Sequence, residues 1–191
     1  LSIFELIKSI IKKDKSYFKN MRISAVKDFH DNSLYIDSCA TKIRATQQHI
    51  GKPDKLLFSF HGIPQSYVCD DEPYQSQCLT TASLIAKELN LDESQYEVAF
   101  QSRFGKAEWI KPYLSSRLEE LPKEGIENIQ VFCPGFSSDC LETIDEIGRE
   151  SKEEFFEHGG KSFEFIPCLN SEKSFINALM DIQKKADFKI L

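Results

Sequence analysis

Hydrophobic and polar positions along the chain follow two different spacings. Short apolar runs predict β-strands, and apolar residues recurring every three to four positions predict helices. The predicted strands cover residues 22–29, 55–60, 96–102, 129–133 and 162–166. The predicted helices cover residues 3–13, 31 or 32 to 49, 80 or 81 to 89, 112–121, a segment capped by Asp139 and closed by Gly159 and Gly160, and a last helix from about 172.

Strands and helices alternate along most of this pattern. That order is typical of a parallel sheet with right-handed crossovers. The sequence therefore predicts the α/β class, as a Rossmann-like open parallel sheet with helices on both faces.

Composition narrows the class of protein further. The chain has 191 residues, 41% of them hydrophobic and 28% charged, which fits a globular domain with a sizeable core. A net charge of −6 argues against nucleic acid as a partner. No apolar run approaches the ~20 residues that cross a bilayer, and no signal peptide opens the chain, so we expect a cytoplasmic protein. Because its first residues resemble the middle of a domain, we expect a fragment.

The six cysteines include no C-x-x-C pair. This pattern predicts reduced, mostly buried thiols, and argues against a disulfide framework or a zinc site. Cys140 is the exception that stays open, because it precedes an acidic helix.

A helical wheel predicts that the buried face of that helix carries Leu141, Ile144, Ile147, Gly148, Ser151 and Phe155. Three glutamates, Glu142, Glu146 and Glu150, recur every four residues on nearly the opposite side. One interpretation is a solvated face with a capping box formed by Asp139 and Glu142. The other is a column of carboxylates that holds or conducts a cation. The helix by itself leaves both interpretations open.

Ligands of open α/β sheets bind beyond the carboxyl ends of the strands. A histidine and carboxylates at such an edge can bind a divalent cation such as Fe²⁺ and exchange protons. Aromatic rings there suit a flat ligand. The residues that the pattern places at this edge are His61, Gln101, Ser102, Arg103, Trp109, Phe136 and Glu142.

Three ordered motifs carry a family resemblance. They are FSFHGIPQSY at 58–67, FQSRFG at 100–105 with Trp109 after it, and CPGFSSDCLET at 133–143. Together they resemble the signature runs of the ferrochelatase family, most closely its proteobacterial type, over the chain from about residue 22 onward. The resemblance implies insertion of Fe²⁺ into protoporphyrin IX to form haem. It also implies one lobe of an enzyme built from two Rossmann-like lobes around a porphyrin cleft.

The resemblance also implies a domain organisation. Residues 1–20 would be a remnant of the N-terminal lobe or an interlobe helix, residues 21–170 the C-terminal lobe, and residues 171–191 a C-terminal helix. The missing N-terminal lobe would then be a partner. We expect the fragment to be poorly active and to self-associate, and a peripheral membrane contact stays open.

Carried onto this sequence, the resemblance makes His61 and Glu142 a facing catalytic and metal-binding pair. Glu146 and Glu150 would form an ion or proton path, and Trp109 and Phe136 would line the porphyrin pocket. Fe²⁺ is expected as a substrate, with no permanently bound cofactor and no iron–sulfur cluster. Cys140 stands where many relatives have histidine, although the proteobacterial type commonly has cysteine.

Two alternatives stay open at this stage. One is a chelatase for another tetrapyrrole, or for Co²⁺ or Ni²⁺. The other is a non-catalytic fragment that binds porphyrin or metal.

Overall fold

The computed structural model describes residues 3–69, 73–186 and 188–189. Residues 1, 2, 70–72, 187, 190 and 191 lie outside the described residues, and they include parts of the predicted segments 1–20 and 171–191. The strands are β1 (Ser24–Ala25), β2 (Lys55–His61), β3 (Tyr96–Gln101), β4 (Asn128–Phe132), β5 (Ser162–Ile166) and β6 (Phe188–Lys189). The helices are α1 (Ile3–Lys13), α2 (Lys15–Phe18), α3 (Ser33–Ile50), α4 (Tyr74–Glu88), α5 (Leu114–Glu120), α6 (Leu141–Ile144), α7 (Lys152–Glu157) and α8 (Lys173–Lys184).

Four strands form one parallel sheet in the order β3-β2-β4-β5. His61 at the end of β2 lies beside Gln101 at the end of β3. The carboxyl ends of the two strands therefore meet at one edge. The parallel sheet with helices on both faces confirms the predicted fold class.

Two apolar cores sandwich the sheet. Side chains alternate between its faces with a period of two, so Leu56, Phe58 and Phe60 join the core under α3, α4 and α8. Leu57 of the same strand joins the core under α5 and α7. Burial on both faces explains why β2 is a continuous apolar run rather than an alternating one.

Two predicted elements differ from the structure. The strand expected at 22–29 is only the two-residue β1, which pairs antiparallel with β6 and lies outside the main sheet. The helix expected from residue 80 or 81 begins at Tyr74. The Tyr74 hydroxyl donates to the His61 carbonyl at 2.7 Å, a tertiary contact that residue spacing does not show.

The acidic helix is not one regular helix. A π-helical turn (Glu146–Ser151) separates α6 from α7. The wider turn shifts the helical phase, so Leu141 and Ile144, predicted on the buried face, are 73% and 59% exposed. Ile147 is buried as predicted.

The predicted capping box of Asp139 and Glu142 is wrong by one residue, because Cys140 and Thr143 form it. Cys140 is the N-cap of α6, and its N–H donates to Thr143 Oγ1 at 2.9 Å. Asp139 is used elsewhere, because its carboxylate accepts the Cys168 N–H at 3.0 Å and the Asn170 amide at 2.7 Å.

No helix among the described residues combines the length and the apolar character that crossing a membrane requires.

Candidate functional site

His61 is the last residue of β2 and is half-buried at the sheet edge. Its Nδ1 lies 2.7 Å from the Gly62 carbonyl oxygen. A carbonyl can only accept, so Nδ1 carries the hydrogen, and Nε2 keeps its lone pair in the neutral ring. The strand end therefore presents one nitrogen that can accept a proton or bind a metal.

Two aromatic rings lie near this imidazole. The ring centroids of Trp109 and Phe136 lie 6.3 and 6.4 Å from that of His61. The Trp109 indole N–H donates to the Phe104 carbonyl at 3.1 Å. Gly62 makes room for the indole, since a Cβ there would lie 3.1 Å from Trp109 Cε3.

Glu142 lies in the first turn of α6, within electrostatic reach of His61. Its pKa is below the ordinary value for glutamate. The first cause is a hydrogen bond from its own backbone N–H, followed by one from the Cys140 thiol, and His61 lowers the pKa further when its ring is protonated. The carboxylate is thus ionised at neutral pH. The hydrogen bond from its thiol to Glu142 also places Cys140, which is half-buried, beside the site.

A buried amide joins the strand ends to α6. Gln101 is only 3% exposed, and its Nε2 donates to the Glu142 backbone carbonyl at 2.7 Å and reaches Glu146 Oε2 at 3.4 Å. Its Oε1 accepts from the Ser59 hydroxyl at 2.7 Å and from the Cys133 thiol at 3.4 Å. Because the Glu142 carbonyl only accepts, the amide orientation is fixed.

Glu146 is bound by Ser102. The Ser102 N–H donates to Oε1 and its hydroxyl donates to Oε2, each at 2.6 Å. Ser102 adopts a left-handed backbone with φ of 62° to make both contacts. The carboxylate predicted as part of an ion path is therefore held as an acceptor at the start of the π turn.

A pocket beside this contact is lined by Ser102, Arg103, Glu146, Glu150 and Glu154, among others. The Arg103 guanidinium lies 4.6 Å from the centroid of the Tyr113 ring. Exposed Glu150 pairs with Arg149 at 3.0 Å. Glu146 and Glu150 thus line one pocket, and His61 and Glu142 are not among its lining residues.

The structure brings His61, Trp109, Phe136 and Glu142 together at one edge. Within the described residues, no three His, Cys, Asp or Glu side chains are arranged to hold a metal ion. The sequence placed Gln101 and Ser102 at this edge but assigned them no role. A glutamine inside a buried apolar strand was the available signal, because buried amides need partners.

The fold and the site define a chelatase-like α/β lobe. SirB from Bacillus subtilis with Fe³⁺ matches with a TM-score of 0.68 at 14% identity, over 97% of this chain and 68% of that one. The sirohydrochlorin chelatase SirB from Bacillus subtilis subspecies spizizenii, in complex with cobalt, matches with a TM-score of 0.62 at 12% identity, over 97% and 66%. At these identities the likeness shows the fold alone.

The sequence comparisons give the family. The model of the Ferrochelatase family matches residues 1–187, and the chain belongs to this family. A ferrochelatase of Janthinobacterium sp. (strain Marseille) is 43% identical over 181 residues, covering 95% of this chain and 48% of that protein. A ferrochelatase of Herminiimonas arsenicoxydans is 48% identical over 157 residues, covering 82% and 43%. The chain thus spans about half the length of these relatives.

Proposed function

We propose that this chain is one lobe of a tetrapyrrole metal chelatase that inserts Fe²⁺ into protoporphyrin IX in haem synthesis. The observation that carries the proposal is that the His61 imidazole lies near the Trp109 and Phe136 rings and within electrostatic reach of the ionised Glu142. A proton acceptor, an anion and flat apolar surfaces are the groups that this reaction needs.

The reaction releases two protons, because Fe²⁺ replaces the two pyrrole N–H hydrogens of the free porphyrin. His61 is the proton acceptor, since its Nε2 keeps a lone pair while Nδ1 is tied to the Gly62 carbonyl. Glu142 attracts the cation and stabilises the imidazolium, because its lowered pKa keeps it ionised. The metal ion is the substrate, and His61 and Glu142 are its temporary ligands before insertion. Because Nε2 has a single lone pair, it releases the ion before it accepts the pyrrole protons, which it takes one after the other and passes on to water.

The macrocycle lies against Trp109 and Phe136. Both rings are held in place, Trp109 by the hydrogen bond from its indole N–H to the Phe104 carbonyl and Phe136 by packing against the core under α5 and α7. Fixed walls can favour a bent porphyrin over a flat one. Bending exposes the nitrogen lone pairs, so such walls bind the transition state better than the substrate.

Glu146 and Glu150 form a path for ions or protons in this proposal. Both line one pocket at the same sheet edge. Glu150 is the outer, exposed member, and Glu146 is the inner member held by Ser102. Removing Glu150 should therefore affect delivery of the metal more than the pairing of His61 with Glu142.

A second lobe completes the porphyrin cleft in this proposal. Apolar side chains beside the site are strongly exposed, with Phe104 at 85% and Leu141 at 73%. Exposed apolar patches of this kind mark surfaces that bind another protein surface. We therefore expect the isolated chain to be poorly active and to self-associate.

A chimera tests the function directly. This chain replaces the matching stretch of the Janthinobacterium ferrochelatase, and the assay follows protohaem formation from Fe²⁺ and protoporphyrin IX without oxygen. We expect activity that His61→Ala and Glu142→Gln each reduce by at least about a hundredfold. Near-normal insertion in either variant would remove that residue from the mechanism.

The same assay separates the alternatives. A folded chimera that prefers Co²⁺, Ni²⁺ or another tetrapyrrole is a chelatase of different specificity. A folded chimera that binds protoporphyrin but inserts no metal is a binding fragment. Sedimentation of the isolated chain provides the second measurement, and a monomer that inserts iron efficiently would contradict the need for a second lobe.

A further inference from the structure

We infer that Gln101 is a positioning residue, which fixes the first turn of α6 so that Glu142 lies beside His61. It acts through the Glu142 backbone carbonyl and not by contact with the porphyrin. The inference rests on the proposed function for its catalytic meaning, while the positioning itself is a property of the fold.

The hydrogen bonds of this amide are all used within the protein. Its two N–H hydrogens point to the Glu142 carbonyl and to Glu146, and its oxygen accepts from Ser59 and Cys133. Ser59 and Cys133 are both fully buried, as members of the central strand β2 and of the segment after β4. Gln101 therefore connects three neighbouring strand ends to one helix.

The first turn of α6 needs such an anchor. The helix has only four residues before the π turn, too few to be stable alone. Its two apolar side chains, Leu141 and Ile144, are mostly exposed, so packing holds the turn weakly. Buried Thr143 and the Gln101 contact at 2.7 Å tie the turn itself to the sheet, while the contacts of Asp139 and Glu146 hold its two ends.

The register of the sheet explains how one residue can do this. Gln101 pairs with His61 across β2 and β3. The backbone position that carries the imidazole is thus adjacent to the residue that holds the Glu142 turn.

Gln130 offers a matched control. It is also a buried glutamine, 4% exposed, on the neighbouring strand β4. Its amide donates to the Gly51 carbonyl at 2.9 Å and accepts from Gln47 at 3.1 Å, away from the site. Gln101→Leu and Gln130→Leu therefore each remove a buried amide and its hydrogen bonds, but only the Gln101 amide contacts α6.

The experiment compares these two variants in the 191-residue chain by NMR. The observables are the ¹³C shift of the Glu142 carbonyl and hydrogen exchange of the amides at residues 143–147. We expect Gln101→Leu to move the carbonyl signal and to speed exchange in this turn at least about tenfold, with no such change in Gln130→Leu. An unchanged Glu142 signal in Gln101→Leu, or an equal change in both variants, would overturn the inference.

The chimera supplies the catalytic readout. For Gln101→Leu we expect kcat to fall about tenfold to a hundredfold, with the porphyrin KM nearly unchanged, because the amide does not touch substrate. A rise in KM alone, or full activity, would overturn the catalytic part. Should Gln101→Leu fail to fold, Ser59→Ala loosens the same amide, and it must show the same changes at smaller size or the inference fails.

The NMR comparison and the chimera assay together distinguish failure of the positioning inference from failure of the proposed function. An inactive parent chimera whose Gln101→Leu variant still releases the Glu142 turn overturns the proposed function and supports the positioning. An active parent whose Gln101→Leu variant keeps the turn intact overturns the positioning and supports the function.

Discussion

Ser102 holds the carboxylate of Glu146 with two hydrogen bonds of 2.6 Å, one from its N–H and one from its hydroxyl. The serine accepts a left-handed backbone for this purpose, with φ of 62°. The contact joins the residue after β3 to the first residue of the π turn. It therefore fixes where the irregular part of the acidic helix begins.

Ser102→Ala should lower the free energy of unfolding by about 1–2 kcal/mol, because a half-buried carboxylate loses one hydrogen bond. Ser102→Gly loses the same hydroxyl but accepts the positive φ without strain. We expect it to be about 1 kcal/mol more stable than the alanine variant. Urea unfolding of the three proteins measures both differences, and equal stability of Ala and Gly would show that the backbone is unstrained.

Gly160→Ala should destabilise the fold by about 1–3 kcal/mol through overpacking. A Cβ at this position would lie 2.1 Å from Cε1 of Phe155, whose ring is fully buried. Gly148→Ala is the control, since its Cβ would meet Phe165 at an ordinary 3.6 Å.

Thermal unfolding compares the two glycine variants. The melting temperature should fall for Gly160→Ala and stay unchanged or rise slightly for Gly148→Ala. A normal melting temperature in Gly160→Ala would mean that the Phe155 ring can move aside.

The parallel sheet could be predicted because each of its four strands is a short apolar run in the sequence. The apolar run of β2 and the break at His61 locate both the strand and its functional end. The interruption of the acidic helix could not be predicted in the same way. The helical wheel that predicts Leu141 and Ile144 on the buried face assumes a regular α-helix. The π turn depends instead on tertiary contacts such as that between Ser102 and Glu146.

Which residues lie near one another at the candidate site could also be predicted in part from the strands. Strand ends of a parallel sheet meet at one edge, which brings His61 close to residues such as Trp109 and Phe136. The role of Gln101 was not predictable, because its partners include a backbone carbonyl 41 positions away. Such a contact has no signature in residue types or spacing.

Porphyrin binding should quench the fluorescence of Trp109, the one tryptophan of the chain. Its ring lies 6.3 Å from that of His61, so a macrocycle bound at this edge would touch it or come close. Titration of the isolated chain with protoporphyrin IX measures the affinity. Trp109→Phe, followed through porphyrin fluorescence, should bind about threefold to tenfold more weakly.

Phe156→Ala is the control for that titration. Phe156 is another exposed aromatic residue, on α7. The substitution should leave both the quenching and the affinity unchanged. Binding without any quenching of Trp109 would place the porphyrin elsewhere.

Asp139 should make stability depend on acid pH. Burial raises the pKa of its carboxyl, but hydrogen bonds from Asn170 and from the Cys168 N–H outweigh this and leave the pKa below its ordinary value. A lowered pKa stabilises the folded chain above the unfolded value, and this contribution is lost as pH falls through the folded value. We expect Asp139→Asn to cost about 2 kcal/mol at pH 7.

The stability difference between wild type and Asp139→Asn should therefore shrink below about pH 4. Urea unfolding at several pH values tests this. Glu108→Gln, which removes an exposed ion pair with Lys111, is the control and should change little. A difference that stays constant down to pH 2 would show that the carboxylate charge is not what Asn170 and Cys168 recognise.

The burial of each cysteine determines how readily it reacts with thiol reagents. Cys39, Cys78, Cys133 and Cys168 are buried, and burial raises the pKa of Cys39 and Cys78 to about 12. Alkylation of the native chain should therefore begin at exposed Cys69 and at Cys140. With Cys69 replaced, a single probe attached at Cys140 would sit next to Glu142 and report on whatever occupies the mouth of the sheet.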